Sequence, residues 1–321
     1  MRPVSFKSNN RECQHASLRD WVIAQASVRL GRLDCFPAMK ATRRILLSSL
    51  AGTRPAVRFN TLYGFQILLP AWDPDILICA ANGRILHPWI TEVFRTVIRP
   101  GFTVVDGGAN VGFYSLLAAT LMQGRGLVLS FEPDVRNVSL LGANIELNGL
   151  TRIVKVEAKA HGDVDGECDF WMSLDNSWAG TLVKEQTLHY SPTKTVVTTL
   201  DHYLRAAGIP TVDVVKLDIE GAEPLALKGM CETLAKASLL VYEVHRQRQL
   251  ELGIDPVELI RRSVEAGLFT FCLIADERKD EICKFDVGRC KEILDASGWA
   301  DVLCAKGEVA AVLAAKFGDM N

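Results

Sequence analysis

The spacing of apolar and polar residues divides the chain at about residue 100. Beyond it, short apolar runs rich in β-branched residues alternate with stretches whose apolar positions recur at helical spacing. The runs predict strands over residues 103–105, 127–131, 153–156, 212–217, 239–244, 269–274 and 301–304. The other stretches predict helices over residues 113–122, 134–147, 222–234 and 256–266. This alternation is typical of βαβ units and predicts an α/β domain with a mostly parallel sheet over residues 100–321.

The residues before 100 follow a different pattern. A β-hairpin is predicted over residues 62–69 and 76–80, followed by a helix over 88–97, so residues 61–99 are expected to lead into the core. Nine of the first fifty residues are Lys or Arg and three are acidic. We therefore expect residues 1–60 to form a basic helical arm, which is either simply solvated or bound to a membrane surface or a partner.

Composition excludes several classes of protein. A chain of 321 residues with 49% hydrophobic content can bury a large core without disulfides. Its net charge of −2 makes nucleic acid an unlikely substrate. The nine cysteines show no C-x-x-C spacing, so no metal site is assigned. No apolar run reaches the roughly 18 residues of a membrane span, and the first ten residues lack a signal pattern, so a cytoplasmic location is expected.

The strongest local motif is VVDGGANVG at residues 104–112, where a predicted strand turns into a helix. Gly108 and Gly112 would let the backbone approach a ligand closely. Asp106 can accept a hydrogen bond from an ammonium group. The spacing D-x-G-x-x-x-G differs from the G-x-G-x-x-G loop that cradles a pyrophosphate. The motif therefore favours a ligand with a cationic portion, although a tight structural turn remains the alternative.

An acid also ends the next predicted strand. Glu132 follows Asp106 by 26 positions, and an acid at this place can hold both ribose hydroxyls of a nucleoside. The alternative is a surface acid that the dipole of the following helix favours. Because Asp106 and Glu132 end neighbouring strands, we favour a nucleoside ligand.

A third motif, VVKLDIEGAE at residues 214–223, places three acids after a strand. Asp218 could reach an ammonium group or an incoming hydroxyl. Glu220 and Glu223 would share a helix face if the helix begins there. Such acids can bind hydroxyls, act as a base or recruit a divalent cation. His245, at the end of the following strand, is either a general base or a structural histidine.

In order and separation, these motifs resemble the FkbM-type S-adenosylmethionine-dependent methyltransferases. The matching segments are residues 104–119, 130–150, 198–204, 212–230 and 241–245. The resemblance implies a class I methyltransferase Rossmann-like fold: a seven-stranded, mostly parallel sheet with helices on both faces, here with an N-terminal helical and β-hairpin extension. It also implies S-adenosyl-L-methionine as the cofactor.

The same resemblance implies positions for the cofactor. The residues expected around its methionine part are Asp106, Gly108, Asn110 and Gly112. Glu132 would hold the ribose, and the segment from Ala160 to Asp163 would border the adenine. Asp218 falls between methyl donor and acceptor. Gly107 departs from the pattern, because the family often has valine there.

The function expected from these observations is O-methylation of a hydroxyl on a sugar or small metabolite, with a small molecule or glycan as acceptor. Asp218 or His245 would act as the base and Glu220 would orient the acceptor, with no metal required. An NAD-dependent oxidoreductase and a non-catalytic nucleoside-binding module are the alternatives. The sequence does not predict the acceptor or the oligomeric state.

Overall fold

A computed structural model describes residues 4–5, 13–15, 56–81, 87–184, 189–276 and 281–317. Its strands are β1 (Val4–Ser5), β2 (Cys13–His15), β3 (Ala56–Thr61), β4 (Gln66–Pro70), β5 (Thr103–Gly107), β6 (Leu127–Phe131), β7 (Val154–Glu157), β8 (Lys159–His161), β9 (Gly166–Ser173), β10 (Tyr190–Thr198), β11 (Val214–Leu217), β12 (Leu239–His245), β13 (Phe271–Asp276), β14 (Glu281–Lys284) and β15 (Trp299–Ala305). Its helices are α1 (Pro74–Ala81), α2 (Pro88–Val97), α3 (Phe113–Leu121), α4 (Val135–Leu147), α5 (Leu200–Ala206), α6 (Glu223–Lys228), α7 (Cys231–Lys236), α8 (Arg246–Glu251), α9 (Pro256–Gly267), α10 (Val287–Ser297) and α11 (Gly307–Phe317).

The central sheet has the strand order β1-β14-β13-β15-β12-β11-β5-β6-β7. The five strands from β7 to β12 run parallel, and β15 pairs antiparallel with β12 and with β13. The seven strands from β7 to β13 form the mostly parallel sheet of the class I methyltransferase fold, which confirms the predicted fold class. The predicted count of seven was too low, because β14 and β1 extend the sheet to nine strands in the described part of the chain. Both added strands are too short to give a sequence pattern.

Helices cover both faces of the sheet because alternate strand residues point to opposite sides. Val104 packs into a core with helices α2, α3 and α11, whereas its neighbour Val105 packs into a second core with α5, α6 and α9. All four residues of β11 are buried. Burial on both faces leaves the strand ends as the places where a ligand can meet the sheet.

The hairpin before the core lies earlier in the chain than predicted. It is formed by β3 and β4, and residues 76–80, predicted as its second strand, lie in helix α1. Asp73 explains the difference, because its carboxylate accepts hydrogen bonds from the backbone N–H groups of Asp75 (3.0 Å) and Ile76 (3.2 Å) and so caps a helix. Most of the predicted arm over residues 1–60 lies outside the described residues. The described parts of that segment are strands.

Two asparagines of α4 and the loop after it attach the hairpin to the domain. The Asn144 side chain accepts from the backbone N–H of Leu68 and donates to its carbonyl, at 2.6 and 3.1 Å. Asn148 makes the same pair of bonds to Gln66, both at 2.7 Å. These amides bind the free backbone N–H and carbonyl groups at the open edge of β4, as a neighbouring strand would. The division at residue 99 remains a prediction, although hairpin residues share a core with the main sheet.

The stretch after residue 161, which gives no clear pattern in the sequence, contains β9 and β10 of a small sheet with the order β8-β10-β9. Its loop over residues 174–184 reaches the carboxyl ends of the central strands. Among the described residues, no helix combines the length and the apolar character that crossing a membrane requires.

Candidate active site

A cavity of about 790 Å³ opens at the carboxyl ends of the parallel strands. Residues that follow β5, β6, β8, β11 and β12 line it, together with His87 before α2 and the 174–184 loop. This is where open α/β sheets bind ligands. Of the residues predicted for the site, the lining includes Gly108, Asn110, Glu132, Ala160, Asp218, Glu220 and His245. Asp106, Gly112 and Asp163 are not among the described lining residues.

The loop after β5 is shaped by left-handed backbone. Gly108, Asn110 and Gly112 have φ values of 73°, 51° and 97°. A Cβ on Gly108 would lie 1.9 Å from the carbonyl oxygen of Asp218, so only glycine lets this loop touch the loop after β11. A Cβ on Gly112 would instead lie 2.4 Å from Leu141 Cδ1. Gly112 therefore serves the packing of α3 on α4 and does not line the cavity.

Asp106 lies beneath the cavity floor. Only 1% of its surface is exposed, and its carboxylate accepts a 2.6 Å hydrogen bond from Ser115 Oγ. Lys216, which does line the cavity, has its Nζ 3.9 Å from Asp106 Oδ1 and 3.1 Å from Asp218 Oδ2. Asp106 therefore lies near a buried lysine, and its contact with a ligand ammonium stays a prediction. Burial raises the pKa of Asp106 despite the nearby Lys216 charge.

Glu132 is fixed at the end of β6 by backbone donors. Its Oε2 accepts from the N–H of Asn110 at 2.7 Å, and its Oε1 accepts from the N–H of Asp134 at 2.9 Å. Burial raises the pKa of Glu132 to about 7, against the lowering effect of these hydrogen bonds. Oε1 also accepts a long hydrogen bond from Asn137 Nδ2 at 3.5 Å, whereas Oε2 can accept a second hydrogen bond and so retains capacity for a ligand hydroxyl.

The segment after β7 contributes Ala160 and His161 to the cavity, whereas Asp163 is exposed. His161 lies within the segment from Ala160 to Asp163 that was expected to border the adenine. The structure also explains why this chain has glycine at position 107, where the family often has valine. A Cβ there would lie 3.0 Å from His161 Cδ2 and 2.8 Å from Leu217 Cδ2, so the histidine ring occupies space that a side chain at 107 would need.

The acids of the third motif, Glu220 and Glu223, lie in different places and have different partners. Glu220 has a left-handed φ of 57° and lies before α6, and its Oε2 pairs with Arg248 Nη1 at 2.5 Å. Glu223 begins α6, is fully buried, and accepts the backbone N–H of Ile219 at 2.9 Å. The two acids therefore do not share a helix face, because the helix begins three residues later than that hypothesis required. Burial raises the pKa of Glu223 to about 8.

Glu243 joins Asp218 and Glu220 instead. One carboxylate oxygen from each of these three residues lies within 4.8 Å of the others. Burial and the charges of Glu220 and Asp218 raise the pKa of Glu243 well above its usual range. Burial would also raise the pKa of Asp218, but Lys216 and His87 outweigh it and lower that pKa. The cluster thus combines one acid whose pKa is lowered with another whose pKa is raised.

Two histidines face the cavity from different elements. His245 ends β12 opposite Trp299 of β15. His87 lies just before α2 with its Nδ1 3.0 Å from Asp301 Oδ2, and its ring meets the Trp299 ring edge-on at 6.1 Å. His87 belongs to no motif and lies more than two hundred residues from Asp301, so it could not be selected from the sequence.

The 174–184 loop closes one side of the cavity. Asp73 accepts hydrogen bonds from both the backbone N–H and the Oγ of Ser177, each at 2.7 Å, and Asn137 Nδ2 donates to the Ser177 carbonyl at 2.8 Å. Trp178, next to this anchored serine, lines the cavity with 48% of its surface exposed. Of the aromatic residues in this region, Trp178 is therefore the one placed to stack on a ligand.

The chain matches the model of the methyltransferase FkbM domain over residues 106–266, half of its length. It is 26% identical over 165 residues to the hexuronic acid methyltransferase AglP of Haloferax volcanii, which covers 51% of this chain and 62% of that protein. A solved structure of methyltransferase FkbM from Methylobacillus flagellatus KT is 15% identical, with a TM-score of 0.42, and covers 73% of this chain and 53% of its own. Precorrin-6y C5,15-methyltransferase from Geobacter metallireducens GS-15 is 12% identical, with a TM-score of 0.38 and coverage of 70% and 89%.

Proposed function

The chain belongs to the FkbM methyltransferase family, and from this premise we propose that it is an S-adenosylmethionine-dependent O-methyltransferase acting on a hydroxyl of a sugar or small metabolite. One observation carries the proposal. Glu132 and the loop over residues 108–110 follow adjacent strands and open onto a cavity that Asp218 and His245 also line. A nucleoside site and a set of proton acceptors thus face the same space.

Three features of the cavity fit the cofactor. The loop after β5 lines the cavity with Gly108, Ala109 and Asn110, Glu132 offers carboxylate oxygens for ribose hydroxyls, and His161 is a buried polar side chain in the wall. When bound, S-adenosylmethionine supplies a methyl group already activated by its sulfonium charge. Asp106 contributes indirectly, because it helps to hold Lys216 and, through Ser115, the first turn of α3.

The remaining task of the protein is to orient a hydroxyl and accept its proton. Asp218, kept ionised by Lys216, is suited to accept a hydrogen bond from the hydroxyl but is a weak base. Glu220 is held by Arg248 and orients the loop rather than the acceptor. We assign His245 as the general base, with His87 as the competing candidate because it faces the same cavity.

We further propose that the acceptor is a sugar. The relative from Haloferax volcanii is named for a hexuronic acid, and the exposed indole of Trp178 at the cavity offers a flat apolar surface of the kind that packs against a pyranose ring. No metal is required for the reaction. The carboxylates of Asp218, Glu220 and Glu243 are close enough to bind a divalent cation. Because the proposed reaction does not use a cation, addition of a chelator to the assay should leave the rate unchanged.

Two other functions make different predictions. An NAD-dependent oxidoreductase would bind NADH, although the loop after β5 lacks the glycine spacing that cradles a pyrophosphate. A non-catalytic nucleoside-binding module would bind the cofactor without turnover.

Calorimetric titration with S-adenosylhomocysteine, the demethylated product, tests the cofactor assignment. We expect Glu132→Gln to weaken binding about tenfold or more, because a neutral amide accepts ribose hydroxyls less strongly than a carboxylate. Wild-type affinity should rise between pH 6 and 8 as Glu132 ionises near pH 7, and the variant should lack this rise. Glu146→Gln, an exposed acid on α4, is the matched control. Tight NADH binding with no S-adenosylhomocysteine binding would contradict the assignment.

Transfer itself is tested with methyl-labelled S-adenosylmethionine and a panel of glycans that end in hexuronic or neutral hexose residues. Label in a methyl ether of a sugar is the expected result. Cofactor binding with no transfer to any hydroxyl-bearing acceptor would favour the non-catalytic module.

A further inference from the structure

Two cysteines face each other across the antiparallel part of the central sheet. Cys272 of β13 is the register partner of Cys304 of β15, and their Sγ atoms lie 3.5 Å apart. Both side chains lie on the face of the sheet that carries the second core. Neither residue lines the cavity, and both lie outside the residues matched to the FkbM domain. The proposed reaction therefore gives this pair of thiols no role.

The pairing pattern of the strands brings the Cα atoms of the two cysteines close together. The carbonyl of Cys272 accepts a hydrogen bond from the backbone N–H of Phe285, just after β14, at 2.9 Å. In an antiparallel ladder the N–H and C=O groups of one residue point to the same neighbouring strand. Those of Cys272 therefore point toward β14, and its pair with Cys304 is a non-hydrogen-bonded pair. Such pairs hold their Cα atoms about 4.5 Å apart, within the range of roughly 4.4 to 6.8 Å that a disulfide spans.

The two thiols differ in their access to solvent. Cys304 is fully buried, and burial together with the neighbouring Cys272 raises the pKa of its thiol well above the usual range. Cys272 is partly exposed. Thiol–disulfide exchange begins with a thiolate that can reach the disulfide it attacks. Cys272 is therefore the sulfur that meets an oxidant from solvent, and Cys304 is the sulfur placed to displace that oxidant afterwards.

We propose that Cys272 and Cys304 form a reversible disulfide by exchange with a small-molecule disulfide such as oxidised glutathione, and that this bond fastens β13 to β15. The Cys272 thiolate attacks the glutathione disulfide, forms a mixed disulfide and releases one glutathione. Cys304 then loses its proton, attacks Cys272 Sγ and releases the second glutathione. Two protein S–H bonds and one glutathione S–S bond break, while one protein S–S bond and two glutathione S–H bonds form. The two cysteines lose the two electrons that glutathione gains.

The bond would stabilise the antiparallel end of the sheet. Cys272 and Cys304 are 32 positions apart in the chain, and β14 and α10 lie between them. A cross-link of this span restricts the unfolded chain more than the folded one. The oxidised protein should therefore unfold at a urea concentration higher by roughly 1 M, from a typical disulfide contribution divided by a typical urea slope.

Incubation of the native protein with mixtures of oxidised and reduced glutathione tests the inference. Remaining thiols are then alkylated in denaturant, and mass spectrometry of the digest locates each cross-link. The wild type should give peptides joined through Cys272 and Cys304, which dithiothreitol separates. Cys304→Ser should stop at a mixed disulfide of Cys272 with glutathione, whereas Cys272→Ser should leave Cys304 reduced. Cys231→Ser, which removes an exposed thiol on α7, should behave as the wild type.

The wild-type digest decides the inference without any variant. Cys272 left as a free thiol or carrying only glutathione at every buffer ratio would overturn it, and so would a bond from Cys272 to Cys283 or Cys290 instead. Equal urea midpoints for the oxidised and reduced proteins would contradict the fastening of β13 to β15. None of these results depends on methyl transfer, so the inference and the proposed function can fail separately.

Discussion

Two buried cations organise the acidic residues of the cavity. Lys216 lies between Asp106 and Asp218, with its ammonium also 4.8 Å from the centre of the Tyr114 ring. Arg248 donates both to the carboxylate and to the backbone carbonyl of Glu220. Each buried charge is thus compensated by an opposite charge and by hydrogen bonds, as burial requires. The pKa of Glu243, by contrast, is raised by burial and by the charges of Glu220 and Asp218.

The base assignment is a prediction about single residues. We expect His245→Ala to lower kcat by about a hundredfold or more, because positioned general bases contribute factors of this size. Affinity for S-adenosylhomocysteine should change by less than twofold. The measurement is single-turnover transfer across pH 6 to 9, with His87→Ala compared in parallel. A loss that follows His87 instead, or neither residue, would contradict the assignment.

At the scale of elements, the loop between β5 and α3 depends on glycine for two separate reasons. Gly108 avoids a clash with the backbone of the loop after β11, which brings two parts of the site into contact. Gly112 begins α3 in a left-handed conformation and avoids the side chain of Leu141 on α4. The first effect shapes the cavity and the second fixes the helix behind it.

Substitution of Gly112 tests the second effect. Gly112→Ala should lower the free energy of unfolding by about 2 to 4 kcal/mol, from the combined cost of its positive φ and of contact with Leu141. Gly124→Ala is the matched control: its φ of 80° is also positive, but a Cβ there meets nothing within 4 Å. It should cost only about 1 kcal/mol. Urea denaturation measures both. Equal losses would show that the Leu141 contact is unimportant.

For the whole molecule, buried ionisable groups give opposing dependences of stability on pH. Glu132 and Glu223 have raised pKa values of about 7 and 8, so the folded state keeps protons that the unfolded chain releases above pH 4.5. Stability from these groups is present at low pH and is lost as pH rises toward 8. His161 acts in the opposite sense, because its lowered pKa removes stability as pH falls from 6.5 to about 4.

A substitution of Glu223 tests the loss of stability with rising pH separately from the effect of His161. Glu223→Gln mimics the protonated acid, so its stability relative to wild type should increase as pH rises from 5 to 8, by on the order of a few kcal/mol. Urea denaturation at both pH values measures the difference, with Glu146→Gln as an exposed control. A difference that is constant with pH would show that Glu223 is already ionised in the folded protein at pH 5.

Much of the fold could be predicted because it depends on local patterns. The parallel strands, their helices and the motif positions follow from apolar periodicity and from turn residues. The hairpin was predicted too far along the chain, because its position depends on the cap that Asp73 makes for α1. The ninth and eighth strands of the sheet, β1 and β14, were missed because two to four residues carry no periodicity, and pairing with distant strands alone defines them.

The sequence by itself determined the fold class, the family and the loops that meet at the cavity, because parallel strands bring the residues after their carboxyl ends to one edge. Only the tertiary structure decided which side chains face that space. It placed Lys216 rather than Asp106 in the wall, brought Glu243 rather than Glu223 to the other acids, added His87, and singled out His161 within the segment from Ala160 to Asp163. The physical reason is that strand order and helix starts are encoded locally, whereas the partner of a buried charge or ring is a residue far away in the chain.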